Sequence, residues 1–235
     1  MSGARSGMRA LIVADGDVPG RAQLDAAWPG WDREVGLVVA ADGGWDKAAS
    51  LGLVADLLVG DADSLPEARF AALAAEGVPI ERSPTDKDES DAELALLAAL
   101  RRGATNVTVL GALGGKRFDH ALANVGLLSL PDPEDAEVEL LDGSARIRLL
   151  RAPGADRGAV SLSLGGEVGD LVSLLPLGAP AIGVTTDGLL YPLHDETLPA
   201  GPARGLSNVR IAADASVTLR HGRLLAIETR KDRPE

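Results

Sequence analysis

The sequence predicts two domains: an α/β, Rossmann-like domain with a mostly parallel sheet over residues 8–131, followed by an all-β sandwich over residues 136–230. Three observations predict this division. In the first half, short runs of leucine and β-branched residues end in Gly or Asp, and a helical pattern follows each run. In the second half, Gly and Pro interrupt short apolar or alternating segments. Between the halves, the segment LPDPEDAE has the proline and acid content of a linker.

The composition limits the classes of function. Of the 235 residues, 46% are hydrophobic and only 3% are aromatic, so Ala, Leu and Val must build a substantial core. The net charge of -12 and the lack of a dense Lys/Arg block argue against nucleic acid or an anionic membrane as a partner. The chain has no cysteine, which excludes disulfides, thiolate nucleophiles and thiolate zinc sites.

Targeting signals are the next question. The N-terminal segment carries an apolar run of about five residues, which is too short for the core of a signal peptide. No stretch of the sequence approaches the ~20 apolar residues of a membrane span. We therefore expect a cytoplasmic protein that makes no use of a membrane.

The first half is predicted to contain four strands and four helices, which alternate along most of its length. The strands lie in the segments ALIVADGD, GLVVAADGG, DLLVGDADS and NVTVLGALGG. The helices are expected over residues 45–51, 66–76, 91–102 and 119–130. This alternation favours a parallel sheet covered on both faces, and ligands of such sheets bind at the carboxyl ends of the strands. Asp42, Asp61, Asp63 and the glycines after Leu110 should therefore share one edge of the sheet.

The second half is predicted to consist of strands. They lie in the segments VELLDG, ARIRLL, AVSLSLGGEVGDLVSLLPLG and SVTLRHGRLLAIET, which show no long helical period. An antiparallel sandwich or barrel-like domain is the simplest architecture for such a series of short strands. The letters RHGRLL favour a hairpin that closes near Gly222.

Two carboxylates, Asp61 and Asp63, follow an apolar strand in the segment GDADS. Like charges this close favour a divalent cation between them, and oxygen ligands without His or Cys point to Mg²⁺. The alternative is an acidic strand-to-helix turn in which Ser64 caps a helix that begins at Pro66. Asp42, in AADGGWD, would add a further carboxylate to the metal interpretation.

The segment RSPTDKDESDAELALLAAL places five acidic residues within eight positions at the start of a predicted helix. Ser90 and Glu93 stand at capping-box spacing, so a well-capped and solvated helix start is one explanation. The other is that these acids form the mouth of a metal site and that the cap at Ser90 aims Asp91 into it. The two explanations are compatible.

A glycine-rich segment, LGALGGKRFDH, follows the fourth predicted strand. Glycines allow backbone N–H groups to approach an anion, and Lys116 and Arg117 would add positive charge to a phosphate site at the next helix. The segment does not match the P-loop pattern. A glycine-rich loop with a solvated basic pair is an equally good explanation of these residues.

Taken together, the motifs ADGG, GDADS, TDKDESDAE, GGKRFDHALAN and GLSN resemble, in order and spacing, the thiamine pyrophosphokinase family. The resemblance extends from about residue 10 to residue 208. It implies an N-terminal α/β domain and a C-terminal β-sandwich, and a homodimer with its active site at the interface. It also implies transfer of pyrophosphate from ATP to the hydroxyl of thiamine with Mg²⁺, releasing AMP.

The resemblance also implies roles for individual residues. The implied metal ligands are Asp42, Asp61, Asp63 and Asp91. The implied catalytic residues are Asp61, Asp63, Asp91 and Arg117. The implied contacts to ATP and its phosphates are Asp88, Ser90, Gly114, Gly115, Lys116, Arg117 and Asp119. The implied thiamine contacts are Tyr191, Ser207 and Asn208, with Tyr191 at a position where the family commonly has Trp.

Other functions remain open on the sequence alone. A divalent-metal phosphohydrolase could use the same acidic cluster to activate water instead of an alcohol. A sensor of nucleotide or thiamine could keep the fold without catalysis. A pyrophosphokinase acting on another alcohol, such as a pterin, is the nearest alternative, because Tyr191 departs from the family pattern.

Overall fold

The computed structural model describes residues 7–60, 67–84, 86–130, 136–152 and 158–231. The chain divides into two compact units, Met1–Gly143 and Ser144–Glu235. This boundary lies further along the chain than the linker that the sequence favoured. No helix within the described ranges is long and apolar enough to cross a membrane.

The first unit alternates strands and helices. Its elements are β1 (Met8–Val13), α1 (Arg21–Ala27), β2 (Val35–Ala41), α2 (Gly44–Ser50), β3 (Leu57–Gly60), α3 (Glu67–Ala75), β4 (Ile80–Arg82), α4 (Asp91–Arg101), β5 (Ala104–Leu110), α5 (Phe118–Leu127) and β6 (Glu137–Leu141). The strand order is β6-β5-β1-β2-β3-β4, and the described strand pairs are parallel. The parallel α/β prediction is therefore confirmed, while α1 and β4 were not anticipated.

The parallel pairing explains why β6 belongs to the first unit. Its residues pair with β5 from Asn106↔Glu137 to Leu110↔Leu141. The sequence pattern favours the second half for this segment, VELLDG, because it is short and apolar. An apolar strand of five residues gives no indication of its partner, and the parallel neighbour lies about 30 residues earlier in the chain.

Apolar side chains cover the sheet of the first unit. In one cluster, Leu11 of β1 packs with Leu24 of α1 and with the buried indoles of Trp28 and Trp31. In another, Leu58 of β3 packs with helix α3. Strands β1, β2 and β3 are buried along most of their length, which is why they form continuous apolar runs instead of alternating ones.

The strand register brings the carboxyl ends together. Val13, the last residue of β1, pairs with Ala40 on one side and with Leu110 on the other. Ala41 pairs with Val59 of the next strand. The segments that follow β1, β2 and β5 therefore begin at one level, and the side chains that leave these strand ends can meet at one edge of the sheet.

The described residues of the second unit form strands and no helix. They are β7 (Ala145–Ala152), β8 (Val160–Leu164), β9 (Leu171–Pro176), β10 (Ala181–Asp187), β11 (Glu196–Leu198), β12 (Asn208–Val209), β13 (Ala215–Leu219) and β14 (Gly222–Thr229). The described pairs are antiparallel and give two strand orders, β12-β9-β14-β7 and β11-β10-β13-β8. The all-β prediction for this half is confirmed from β7 onwards.

The hairpin predicted at RHGRLL is wrong. Strand β13 pairs with β8 and β10, whereas β14 pairs with β7 and β9, so the chain crosses from one sheet to the other at Gly222. Gly222 has a φ of 99° there, and a Cβ on it would lie 2.9 Å from the carbonyl oxygen of Pro180. Leu219 and Leu224 enter the same apolar cluster from the two sheets. The prediction of a turn at Gly222 is confirmed, but the sequence pattern does not distinguish a hairpin from a crossing between sheets.

Candidate functional site

A cleft of about 420 Å³ lies at the carboxyl ends of β1, β2 and β5 in the first unit. Its lining comes from the segments that follow these strands and from the N-terminal turns of α4 and α5. Both signs of charge line it, since Asp42 and Asp91 face it together with Lys87, Lys116 and Arg117. The cleft is therefore suited to a ligand that carries several charges.

Asp42 connects the end of β2 to α2. Its backbone is in the left-handed region, with φ of 50°, which Asp tolerates better than most residues. The N–H of Asp42 donates to the carbonyl of Val59 at 2.9 Å, and its own carbonyl accepts from Trp45 N–H at 3.2 Å. Only 3% of the residue is exposed. Backbone bonds on both sides thus fix a buried carboxylate at the floor of the cleft, in an uncommon conformation that often marks functional sites.

The two glycines after Asp42 pack against the end of β1 and the residue that follows it, and Gly44, which faces backbone there, has no room for a side chain. A Cβ on Gly43 would lie 2.2 Å from a carboxylate oxygen of Asp15, and one on Gly44 would lie 1.9 Å from the carbonyl oxygen of Val13. The motif ADGG therefore lets α2 begin directly against the end of β1. This close approach places Asp15 and Asp42 in the same cleft.

Lys47 of α2 holds the segment after β1. Its Nζ donates to a carboxylate oxygen of Asp15 at 2.8 Å, to the carbonyl oxygen of Gly16 at 2.7 Å, and to the carbonyl oxygen of Asp15. Asp15 and Gly16 line the cleft. The sequence indicates only that Asp15 follows a strand. Its contact with Lys47 is not predicted, because the two residues lie 32 positions apart and no short motif contains both.

The acidic segment before α4 forms another side of the cleft. The Oγ of Ser90 accepts a hydrogen bond from Glu93 N–H at 3.1 Å, so Ser90 is the N-cap that the spacing predicted. Asp91, the first residue of α4, accepts from Lys87 Nζ at 2.5 Å. Lys87 also donates to Ser83 Oγ at 2.8 Å, and only 11% of its side chain is exposed. A well-buried ammonium group thus stands beside a carboxylate of the cleft.

Lys87 was not among the predicted site residues. The signal was present in the segment TDKDESD, where a lysine four residues before an aspartate can form an ion pair across one helical turn. Asp88, which was predicted, is exposed and does not line the cleft, whereas its neighbour Glu89 does.

The glycine-rich segment after β5 brings four of its five predicted residues, Gly114, Gly115, Lys116 and Arg117, to the cleft, whereas the fifth, Asp119, does not line it. A Cβ on Gly114 would lie 2.7 Å from Asp17 Cβ, so this glycine is needed for packing against the segment after β1. Gly115 differs, because it has a φ of 112° and its nearest neighbour would be 3.7 Å away. Gly115 is therefore the better candidate for close approach of a ligand to the backbone.

Arg117 and Asp119 form a bidentate ion pair. Arg117 Nε donates to one carboxylate oxygen of Asp119 at 2.9 Å, and Nη2 donates to the other at 2.6 Å. The side-chain hydrogen bond from Arg117 holds the pKa of Asp119 well below its usual range, and the same bond raises the pKa of Arg117. Both groups are exposed, so solvent screens the pair. Asp119 thus fixes the orientation of the guanidinium.

The carboxylate oxygens that the described residues bring to the cleft are the type of ligand that a hard cation prefers. Asp42 and Asp91 bring carboxylate oxygens to the cleft, and Mg²⁺ commonly takes one or two carboxylates, with phosphate and water completing its shell. Over the described ranges, no group of three or more His, Cys, Asp or Glu side chains is arranged to hold a metal ion. Asp61 and Asp63, the pair on which the magnesium prediction rests, lie outside the described residues.

A second, smaller pocket of about 160 Å³ lies in the second unit. Tyr191 and Asn208 line it with three leucines, and the two residues are joined by reciprocal bonds. Tyr191 N–H donates to Asn208 Oδ1 at 3.0 Å, and Asn208 Nδ2 donates to the carbonyl of Tyr191 at 2.7 Å. Asn208 is buried and Tyr191 is exposed. The amide therefore fixes the backbone that presents the phenol.

Ser207, the other predicted residue of this group, is exposed and does not line the pocket. Its φ is 55°, and its N–H donates to Ser173 Oγ at 3.1 Å. Gly205 packs so closely that a Cβ on it would lie 2.0 Å from the carbonyl oxygen of Leu174. The motif GLSN therefore combines a close backbone approach with a strained turn that delivers Asn208.

Comparison with known proteins identifies the family of both halves. The family model described as "Thiamin pyrophosphokinase, catalytic domain" matches residues 31–140. The model described as "Thiamin pyrophosphokinase, vitamin B1 binding domain" matches residues 160–224. The first contains Asp42, Asp91 and Arg117, and the second contains Tyr191 and Asn208.

Individual relatives agree with the family models. Thiamine pyrophosphokinase 2 of rice (Oryza sativa subsp. japonica) is 36% identical over 115 residues, and the match spans 48% of this chain and 41% of the rice protein. Thiamine pyrophosphokinase of Bacillus subtilis is 24% identical over 200 residues, which cover 85% of this chain and 90% of that protein.

Solved structures show the same fold. The crystal structure of the Bacillus subtilis thiamine pyrophosphokinase aligns with a TM-score of 0.79 at 24% identity, covering 95% of this chain and 100% of that one. That of a thiamin pyrophosphokinase family protein from Enterococcus faecalis aligns with a TM-score of 0.74 at 25% identity, covering 95% and 100%.

Proposed function

The chain belongs to the thiamine pyrophosphokinase family, and we propose that it transfers pyrophosphate from ATP to the hydroxyl of thiamine, giving thiamine diphosphate and AMP. The observation that carries the proposal is the convergence, in one cleft, of Asp42, Asp91 and the loop from Gly114 to Arg117. These residues come from three separate motifs. Fixed charges of both signs at the ends of parallel strands suit a polyphosphate donor.

The reaction is a displacement at phosphorus. The hydroxyl oxygen of thiamine forms a bond to the β-phosphorus of ATP as the bond from that phosphorus to the α-phosphate oxygen breaks, and AMP departs with the electron pair. The protein positions the reactants and stabilises charge. Arg117 binds phosphate oxygens through the guanidinium N–H groups that Asp119 does not occupy, and Lys87 supplies a fixed positive charge. Asp63 or Asp91 accepts the proton of the hydroxyl.

Magnesium is part of the proposal. Asp42 and Asp91 would hold it, together with Asp61 and Asp63 from the sequence, because these carboxylates are hard oxygen donors. When bound, Mg²⁺ neutralises charge that develops on the phosphate oxygens. Support comes from the donor chemistry of the cleft, where Asp42 is buried at its floor and Asp91 is aimed by the cap at Ser90.

The smaller pocket is proposed to receive thiamine. Tyr191 offers a phenol ring that can stack on an aromatic ring of the acceptor, and Asn208 holds the backbone that presents it. Ser207 is proposed to act through the turn that delivers Asn208. The match of residues 160–224 to a vitamin B1 binding domain supports this assignment.

Several finer features are proposed on the same basis. The parallel sheet suggests a Rossmann-like arrangement of the first unit. The second unit is proposed to be a sandwich, because one apolar cluster draws side chains from both of its sheets. A homodimer, with the active site at its interface, is supported by the exposed apolar side chains of Phe118 and Leu122, which are 79% and 62% exposed on one face of α5. Cytoplasmic location fits a reaction that consumes ATP.

The test is AMP release from ATP and Mg²⁺ with and without thiamine, with the thiamine product identified by its mass. The proposal predicts AMP release that depends on thiamine, together with thiamine diphosphate. AMP or phosphate released equally without thiamine would instead indicate a phosphohydrolase, and turnover with a pterin alcohol alone would indicate another acceptor. The family models and relatives favour neither alternative.

A further inference from the structure

The pocket of the second unit presents an electrostatic conflict with its proposed ligand. Among the described residues that line it, Arg204 is the only charged one, and the others are apolar or neutral. The thiazolium ring of thiamine carries a fixed positive charge. A guanidinium at the edge of a pocket repels a cation, so an unmatched Arg204 would work against the proposed acceptor.

Glu196 resolves the conflict. Its Oε2 accepts a hydrogen bond from Arg204 Nη2 at 2.9 Å. Glu196 does not itself line the pocket, but it begins β11, and its backbone is fixed by the pairing Val184↔Glu196. On the other side, the bond from Leu174 N–H to the carbonyl of Gly205 fixes the chain next to Arg204. Both partners are thus held on ordered backbone.

We propose that Glu196 determines specificity for a cationic acceptor by neutralising Arg204 at the edge of this pocket. The inference rests on the proposed function, since it takes thiamine as the acceptor. Without Glu196, Arg204 would disfavour a thiazolium but not a neutral ring of the same shape. With Glu196 in place, Arg204 lines the pocket without adding net charge to it.

A purely structural role for the pair predicts something different. Side chains of Arg204 and Glu196 are 55% and 36% exposed, and exposed ion pairs contribute little to stability. If the pair only stabilised the loop, its loss would weaken neutral and cationic ligands equally. Selectivity for charge is therefore the property that separates the two roles.

The adjacent residue provides a matched control. Asp195 forms an ion pair with Arg220 at 2.6 Å, and the two side chains are 62% and 56% exposed, but neither residue lines the pocket. Asp195→Asn removes the same charge from the neighbouring position. Asparagine also tolerates the left-handed backbone of Asp195, where φ is 57°.

The experiment measures, by calorimetry on the full chain, the affinity for thiamine and for a neutral analogue in which thiophene replaces the thiazolium. We expect Glu196→Gln to weaken thiamine binding about two- to five-fold and to leave the neutral analogue unchanged, because an exposed charge acts weakly through water. We expect the double variant Glu196→Gln with Arg204→Gln to restore thiamine affinity, Asp195→Asn to match the parent, and high salt to reduce the effect.

Three results would overturn the inference, and they differ in what else they overturn. Equal thiamine affinity of Glu196→Gln and the parent, or equal loss of thiamine and the neutral analogue, would remove the specificity role and leave the proposed function standing. No thiamine binding by the parent chain, with or without ATP and Mg²⁺, would overturn the proposed function and the inference with it.

Discussion

The cleft of the first unit and the pocket of the second unit are built for different kinds of ligand. The cleft gathers carboxylates and cations on segments that are held by backbone bonds and by glycines without room for a side chain. The pocket is less than half as large and is lined by three leucines, by Tyr191 and Asn208, and by one charged residue, Arg204, which is paired with Glu196. Charged side chains are concentrated in the cleft, where phosphate chemistry is proposed. The pocket, where an aromatic acceptor is proposed, would select its ligand mainly by shape. Substitutions in the two regions should therefore fail in different ways.

The largest effect is expected at Asp42. Asp42→Asn keeps the size of the side chain and tolerates the left-handed backbone, but it removes a buried charge from the floor of the cleft. We expect kcat/KM to fall by about 100-fold or more, because fixed charges at a phosphoryl-transfer site act on the transition state. Steady-state kinetics with ATP and thiamine would measure it.

Asp46→Asn is the matched control for this prediction. Asp46 lies four residues further on in α2, is 66% exposed and pairs with Arg69 at 3.8 Å. Its loss should leave kcat/KM within about two-fold of the parent, as for an exposed ion pair. Equal activity of the Asp42→Asn and Asp46→Asn variants would remove Asp42 from the mechanism.

The next effect is expected at Lys87. Lys87→Met keeps the aliphatic stem but removes the ammonium that contacts Asp91 and Ser83. We expect kcat/KM to fall by about 10- to 100-fold, because the group is well buried and its charge is poorly replaced by water. Lys116→Met, which removes an exposed charge of the same cleft, should cost less. A larger fall in kcat/KM for Lys116→Met than for Lys87→Met would contradict the claim that the buried lysine contributes more to catalysis.

A different failure is expected in the pocket. Asn208→Ala removes both hydrogen bonds to the backbone of Tyr191, so the ring is no longer held in place. We expect the KM for thiamine to rise by about ten-fold while the KM for ATP stays unchanged, together with a loss of stability of roughly 1–3 kcal/mol. Initial rates with each substrate varied in turn, and thermal unfolding, would measure both. A parallel rise in the KM for ATP would contradict the separation of the two regions.

The smallest effect is expected at Asp119. Since Arg117 lowers the pKa of this carboxyl, its contribution is present above the ordinary pKa of an aspartate and is lost only as pH falls through the depressed value. The parent should therefore show no titration of Asp119 near neutral pH. Asp119→Asn should lower kcat/KM by about two- to five-fold, equally from about pH 6 to 8, because only the aim of an exposed guanidinium changes. A loss that varied with pH across this range would contradict the assignment.

The sequence predicted the parallel sheet and the strand ends, because these depend on local patterns. Fewer than half of the residues that line the cleft were predicted, namely Asp42, Ser90, Asp91, Gly114, Gly115, Lys116 and Arg117. Asp42 and Arg117 sit in motifs whose spacing shows that they follow a strand. It did not predict α1, which is seven residues long and has no side-chain cap at Gly20, or β4, which has three residues. Neither is long enough to show a period.

Contacts between residues that are distant in the chain could not be predicted from the sequence either. The bonds from Lys47 to the segment after β1 depend on the parallel register, which places α2 beside that strand end. The crossing at Gly222 depends on which strands Leu219 and Leu224 pack against. The alternation of apolar residues would be the same whether β14 paired with β13 in a hairpin or with strands of the other sheet. Glu196 and Arg204 lie eight residues apart on different segments, so only the folded structure reveals their pairing.

The account depends most directly on where the β-phosphate of ATP goes. ATP labelled at the β-phosphate, incubated with thiamine, Mg²⁺ and the full chain, should give labelled thiamine diphosphate and unlabelled AMP in equal amounts, and the Asp42→Asn variant should give neither at a comparable rate. Label recovered in inorganic pyrophosphate or ADP, with thiamine unmodified, would contradict the central claim that this chain is a pyrophosphate transferase.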